Sequence, residues 1–189
     1  MRFLPAAPVL AVPVLAVLAL LAGCSQQEEV AMPDPFALDA EAIGRYCGMN
    51  VLEHDGPKGQ IILTRIPEPI WFSSARDAVA FTMLPDEPKN IAAIYVSDMA
   101  VAASWEEPGA DNWIDARTAY FVLGSGQRGG MGTSETVPFS TEAAALAFAA
   151  ANGGKVTRFD DIPLDYVLGD TDEEPDGDPV GAIAPHSGH

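Results

Sequence analysis

Positive charge is scarce in this sequence. Ten Lys and Arg stand against 27 Asp and Glu, a formal net charge of −17. Nucleic acid and anionic lipid surfaces are poor partners for such a chain, whereas metal cations and basic protein patches are better ones. Cysteine is scarcer still. Two thiols, Cys24 and Cys47, cannot build a disulfide framework or the Cys- and His-rich cage of a structural zinc site. Catalytic signatures are missing as well. Gly124-Ser125-Gly126 lacks the G-x-S-x-G elbow, and the glycine run from Gly124 to Gly132 lacks the Lys-Ser/Thr of a phosphate loop. Glu53, Asp55, Asp160 and Asp161 have no acid or base partner at a recognisable spacing.

What is present begins with an address. Arg2 precedes an apolar stretch from Phe3 to Leu21, and Leu21-Ala22-Gly23 ends it in small residues before Cys24. That is a secretory signal over 1–23, and its last four residues resemble a bacterial lipobox, which implies cleavage before Cys24 and acylation, by palmitate among others, at that cysteine. A single membrane-spanning helix is the weaker reading. Pro5, Pro8 and Pro13 interrupt the run, and no basic stop-transfer cluster follows it. Ser25 after the cysteine, in place of Asp, fits the lipoprotein sorting pattern for the outer membrane.

The rest of the chain divides by composition. Residues 24–35 are polar and proline-punctuated, as a tether should be, and 169–189 form an acidic tail, rich in Pro and Gly and without apolar period, that reads as disordered. Between them, Phe72-Ser73-Ser74-Ala75-Arg76-Asp77-Ala78-Val79-Ala80-Phe81 matches Phe139-Ser140-Thr141-Glu142-Ala143-Ala144-Ala145-Leu146-Ala147-Phe148 without gaps. Both read as helices capped by Ser73 and Ser140, the first ending at Pro85 and the second at Asn152-Gly153-Gly154. Strands are predicted at Gln60–Leu63 and Ile91–Val96 around the first helix. Others are predicted at Ala119–Leu123, Thr133–Val137 and Lys155–Phe159 around the second. The prediction is an α+β fold made of two duplicated strand-strand-helix-strand modules, 36–105 and 106–168.

If Cys24 is acylated, Cys47 has no partner for a disulfide. An unpaired thiol in an oxidising compartment is either a buried small hydrophobe or a functional group. Its neighbours point to the second. In Cys47-Gly48-Met49 an extended backbone would put both sulfurs on one face, and His54 follows before the turn Asp55-Gly56-Pro57-Lys58-Gly59. A hairpin there would leave His54 near the turn rather than opposite Cys47. Thiolate and thioether are soft donors that select Cu(I), with imidazole completing a low-coordinate site. Met131, set among Gly129, Gly130 and Gly132, has little core to fill and is a further candidate ligand from the second module. Met83 and Met99 read as core, and His186 and His189 as unspecific tail residues.

Tyr46-Cys47-Gly48-Met49, Gly59-Gln60-Ile61, the Phe72-Ser73 helix entry, Gly130-Met131-Gly132 and the run from Pro138 to Ile162 together resemble the NosL family. These are copper-binding accessory lipoproteins of nitrous oxide reductase assembly in denitrification. The resemblance covers about Ile43 to Ile162. It implies one Cu(I) per monomer, delivery of copper to the reductase or its assembly machinery in the periplasm, a monomer, and no catalytic turnover. It carries Cys47 over as thiolate ligand and Met131 and Met49 as candidate thioethers, and His54 is the one histidine of the predicted folded region that can serve where an imidazole is required. It also implies a likeness to the organomercury lyase fold, so a thiol-dependent lyase or oxidoreductase using Cys47 is the rival reading, and an interaction lipoprotein with an inert thiol is a third.

Overall fold

The computed structural model describes residues 31–169. The signal at 1–23, the lipidation residue Cys24, the tether up to residue 30 and the tail from 170, with His186 and His189, lie outside the described residues.

Gly59–Leu63 forms β1, whose five residues are all buried. It is covered on both faces, which is why Ile61, Ile62 and Leu63 form a continuous apolar run rather than an alternation. On one face Ile61 and Leu63 join the main core, against helix α1, Ala75–Met83. Helix and strand approach so closely that a side chain at Gly59 would begin 2.4 Å from the Ala78 Cβ. On the other face Gln60 pairs its amide with the backbone of Phe36, accepting from the Phe36 N–H at 2.8 Å and donating to its carbonyl at 2.9 Å. The Tyr95 hydroxyl donates to the Pro33 carbonyl at 2.7 Å, so the end of the tether is already tied to the sheet.

Strand β2 (Ile70–Phe72), β3 (Ile91–Ser97) and β4 (Trp113–Asp115) complete an antiparallel sheet in the order β2-β1-β3-β4. A second antiparallel sheet contains β5 (Tyr120–Leu123), β6 (Val137–Phe139) and β7 (Lys155–Arg158) in the order β6-β5-β7. Helix α2, Glu142–Asn152, connects β6 to β7, and a short α3, Leu164–Leu168, closes the described chain. The wiring of β1, β2, α1, β3 recurs in β5, β6, α2, β7: the first strand is central, the next two flank it, and the helix lies between them in sequence. The predicted α+β class and the strand-strand-helix-strand repeat are what the chain adopts.

Several local predictions shift. The N-caps are Ser74 and Thr141, each one residue later than expected. Strand β6 starts at Val137 instead of ending there, and runs through Pro138; it is an edge strand, where a missing N–H is tolerated. The expected strand residues from Thr133 belong instead to a hairpin in which Arg128 bridges Ser134. The two sheets share one core. Phe121 of β5, Phe159 and Val167 pack in the same cluster as Phe72, Phe81 and Ile94. Met83 packs at the edge of that cluster and Met99 at the edge of the smaller core around Val137 and Phe139. Among the described residues no helix is long and apolar enough to cross a membrane.

Candidate metal centre

Cys47 sits in a tight turn rather than in a strand. Ile43 bridges Asn50 across it, the Gly44 N–H donates to the Met49 carbonyl and the Gly48 N–H to the Gly44 carbonyl, both at 2.9 Å. Gly48 has φ +66°, a left-handed conformation that costs an L-residue about 1–2 kcal/mol. The alternation that would have put both sulfurs on one face is therefore absent. The turn is fastened to the first sheet, since the Arg45 N–H donates to the Trp71 carbonyl at 2.8 Å. Tyr46 packs edge-on against Phe72, with ring centres 5.6 Å apart, and donates its hydroxyl to Glu87 at 3.1 Å. Burial and the Glu87 carboxylate push that phenol well above its ordinary value, so it stays a neutral donor.

A short 3-10 turn, Val51–Glu53, capped by the Asn50 side chain, then reverses the chain. This brings back the imidazole that the hairpin expectation placed elsewhere. His54 is buried, and its Nε2 lies 3.9 Å from the Cys47 Sγ. The buried Lys58 ammonium donates to the His54 carbonyl and fixes the backbone there; burial pushes its pKa down to about 8. The Ser73 hydroxyl is 3.5 Å from the sulfur. Gly44 is required beneath it, because a Cβ at that position would begin 2.6 Å from Sγ.

The second module approaches through residues 128–134. The Gly129 N–H donates to the Thr133 carbonyl at 3.0 Å and the Gly132 N–H to the Gly129 carbonyl at 2.8 Å. Gly130 lies directly on His54: a side chain there would begin 2.5 Å from the His54 Cβ. Met131, about half exposed, lines an open cleft of ≈ 290 Å³ together with Cys47, Tyr46, Ser74, Arg76, Asp77, Thr133 and Val167. Met49 does not line it. Its side chain is exposed, and its carbonyl accepts a long contact from Sγ at 4.0 Å.

The structure thus brings together Cys47, His54 and the Met131 loop and leaves the Met49 thioether outside. Typical metal bonds of about 2.3 Å to sulfur and about 2.0 Å to imidazole nitrogen span up to roughly 4.3 Å. A sulfur-to-nitrogen separation of 3.9 Å therefore admits an ion on a bent line between the two atoms. Among the described residues no three His, Cys, Asp or Glu side chains gather as ligands; the pair that does meet, Cys47 and His54, joins a soft thiol to a borderline imidazole.

Other residues of the site were not visible in the sequence as such. Ser73 reads as a helix cap but lies against the sulfur, and Gly44 carries no signal beyond being a glycine near the cysteine. Glu135 is fully buried, with its carboxyl accepting from the Ser74 hydroxyl and from the N–H groups of Arg76 and Thr136, each at 2.8 Å. Burial pushes it up to about 7 against those donors.

Comparison with known proteins identifies the family. Residues 35–167 match the model of the family described as NosL. The chain is 47% identical over 169 residues to the copper-binding lipoprotein NosL of Achromobacter cycloclastes, covering 87% of this chain and 86% of that one. It is 33% identical over 174 residues to the protein of the same name from Stutzerimonas stutzeri, covering 89% and 90%. The crystal structure of the copper chaperone NosL from Shewanella denitrificans superposes with a TM-score of 0.64 at 36% identity, over 68% of this chain and 95% of that one. With cysteine, helix entry and glycine-flanked methionine assembled in one fold, this chain belongs to the NosL family.

Proposed function

We propose that this chain is a lipid-anchored metallochaperone that holds one Cu(I) and delivers it for maturation of the copper centres of nitrous oxide reductase. The observation that carries the reading is the approach of His54 Nε2 to within 3.9 Å of the Cys47 Sγ, with that thiol and Met131 lining one open cleft. Cys47 is the thiolate, His54 the imidazole and Met131 the thioether, the last supplied by the module at 106–168 to a site begun in the module at 36–105. Met49, whose thioether lies outside the cleft, is not assigned as a ligand. A half-exposed thioether beside a partly exposed thiol leaves room for an acceptor's ligand to enter before the first bond breaks, which suits transfer through a shared-ligand intermediate. The anchor is Cys24, carrying palmitate among its acyl chains, on the periplasmic side and at the outer membrane. The protein acts as a monomer and without catalytic turnover.

The test is a competition titration of the mature chain with Cu(I) against a chelator. Cys47→Ser should abolish tight binding, His54→Ala and Met131→Ala should each weaken it by roughly tenfold or more, and Met49→Ala should change it little. Tight binding that survives Cys47→Ser sinks the proposal. Copper content of the reductase in cells carrying each variant checks delivery.

One observation favours the rival reading of a thiol-dependent lyase. Asp77 lines the cleft with Cys47, and burial raises its carboxyl above the ordinary range, which would supply a protonating acid. The second thiol such chemistry wants is not present among the described residues. Release of benzene from phenylmercury by wild type but not by Asp77→Asn would turn the assignment toward that enzyme.

A further inference from the structure

The two equivalent helices are capped differently. At α2, Thr141 caps its own helix, its side chain accepting from the Ala144 N–H at 3.3 Å. At α1 the Ser74 side chain makes no cap bond. Its hydroxyl donates outward to Glu135 at 2.8 Å, and the same carboxylate takes the Arg76 N–H that the helix leaves unpaired. A carboxylate at a helix N-terminus is favoured both by the free N–H groups and by the helix dipole. Here it comes from the other module, across 61 residues of chain.

Both ends of this contact bear on the cleft. Ser73, the residue before the cap, touches the Cys47 sulfur. Glu135 backs the hairpin that carries Met131, and its Oε2 is so close to Gly129 that a Cβ there would begin 2.7 Å away. The carboxylate's third partner, the Thr136 N–H, ties it to its own strand. Resting on the ligand set proposed above, we infer that Glu135 is a positioning residue for copper: it clasps the Met131 hairpin to the N-terminus of α1 and so sets the thioether against the Cys47 thiol.

The experiment is a double-mutant cycle on the full chain, with Cu(I) competition titration as the readout and thermal denaturation alongside. Glu135→Ala removes the clasp, and Gly129→Ala crowds it from the hairpin side without deleting any bonding group. Each should weaken Cu(I) binding roughly ten- to a hundredfold, the range for residues that orient a ligand. Neither should weaken it further in a Met131→Ala background. Glu135→Gln, which keeps an acceptor for the Arg76 and Thr136 N–H groups, should restore most of the affinity. Equal losses with and without Met131 would overturn the clasp while leaving the ligand set intact, as would unchanged affinity in Gly129→Ala. Should Glu135→Ala not fold, Gly129→Ala decides alone. If Met131→Ala by itself leaves affinity unchanged, the ligand set fails and the clasp falls with it.

Discussion

At the scale of the residue, the site depends on what is absent as much as on what is present. Gly44 contributes no donor, yet a single methyl group there would start 2.6 Å from the sulfur of Cys47, well inside contact distance. The thiol has only one side-chain torsion with which to escape, and any other rotamer swings it away from His54. Gly44→Ala should therefore lower Cu(I) affinity at least tenfold, within the range for residues that orient a ligand. Its effect on stability should be near 1 kcal/mol, as for ordinary substitutions. Chelator competition paired with chemical denaturation separates the two, and an affinity unchanged by the extra methyl would show that the sulfur sits elsewhere when metal is bound. Of the proposed donors, Cys47, His54 and Met131 were legible as residue types. What was not legible was the choice between Met49 and Met131, because that depends on Gly48 turning the chain in a left-handed conformation.

At the scale of the element, α1 and α2 share a sequence pattern but differ in their surroundings. Six residues of α1 are buried, Arg76 among them, whereas Ala145 is the buried residue of α2. Their existence, their C-terminal stops and the central strands were readable from period and punctuation. Strands β2 and β4 were not recognised from their residues, since three-residue strands carry too little pattern to stand out. The capping of α1 was unreadable because its acceptor is Glu135, far along the chain.

That buried carboxyl has a pH signature. Its pKa is higher in the folded chain, at about 7, than the ordinary 4.5, so the folded state binds its proton more strongly. The stabilisation is complete below 4.5 and is lost as pH rises through 7. Over that window the stability of wild type relative to Glu135→Gln should fall by on the order of 3 kcal/mol. Denaturation of both proteins between about pH 3.5 and pH 8, roughly one unit beyond each limit, measures it; a constant difference across the window would show that Glu135 does not titrate there.

At the scale of the whole molecule, the modules are two in sequence but share their main core. Phe121 of the second sheet is fully buried beside Phe159, with ring centres 6.2 Å apart, in the cluster that also holds Phe72 and Phe81 of the first. Phe121→Ala should cost about 3–5 kcal/mol. It should lower the stability of both halves together, so that near-ultraviolet and far-ultraviolet signals lose structure in one transition. Two separated transitions would mean that the modules fold independently. The Cys47 turn is held between Ala42 and Val51, which pack in a small cluster against Trp71 of β2, and the Met131 hairpin leads into β6, so both proposed ligand segments are tied to sheets that share a core.

Composition, charge and short-range pattern by themselves determined the class of the fold, the repeat, the two main helices and the set of soft donors. Each of these rests on interactions within a few residues of chain: caps, turns, periodicity and the chemistry of single side chains. Only the tertiary structure decided which donors meet. The Cys47 to Ser73 contact spans 26 residues, and the Ser74 to Glu135 bond spans 61. Contacts of that separation are set by how sheets and helices pack, and the turn at "YCGMNVLEH" takes its place in the site from that packing.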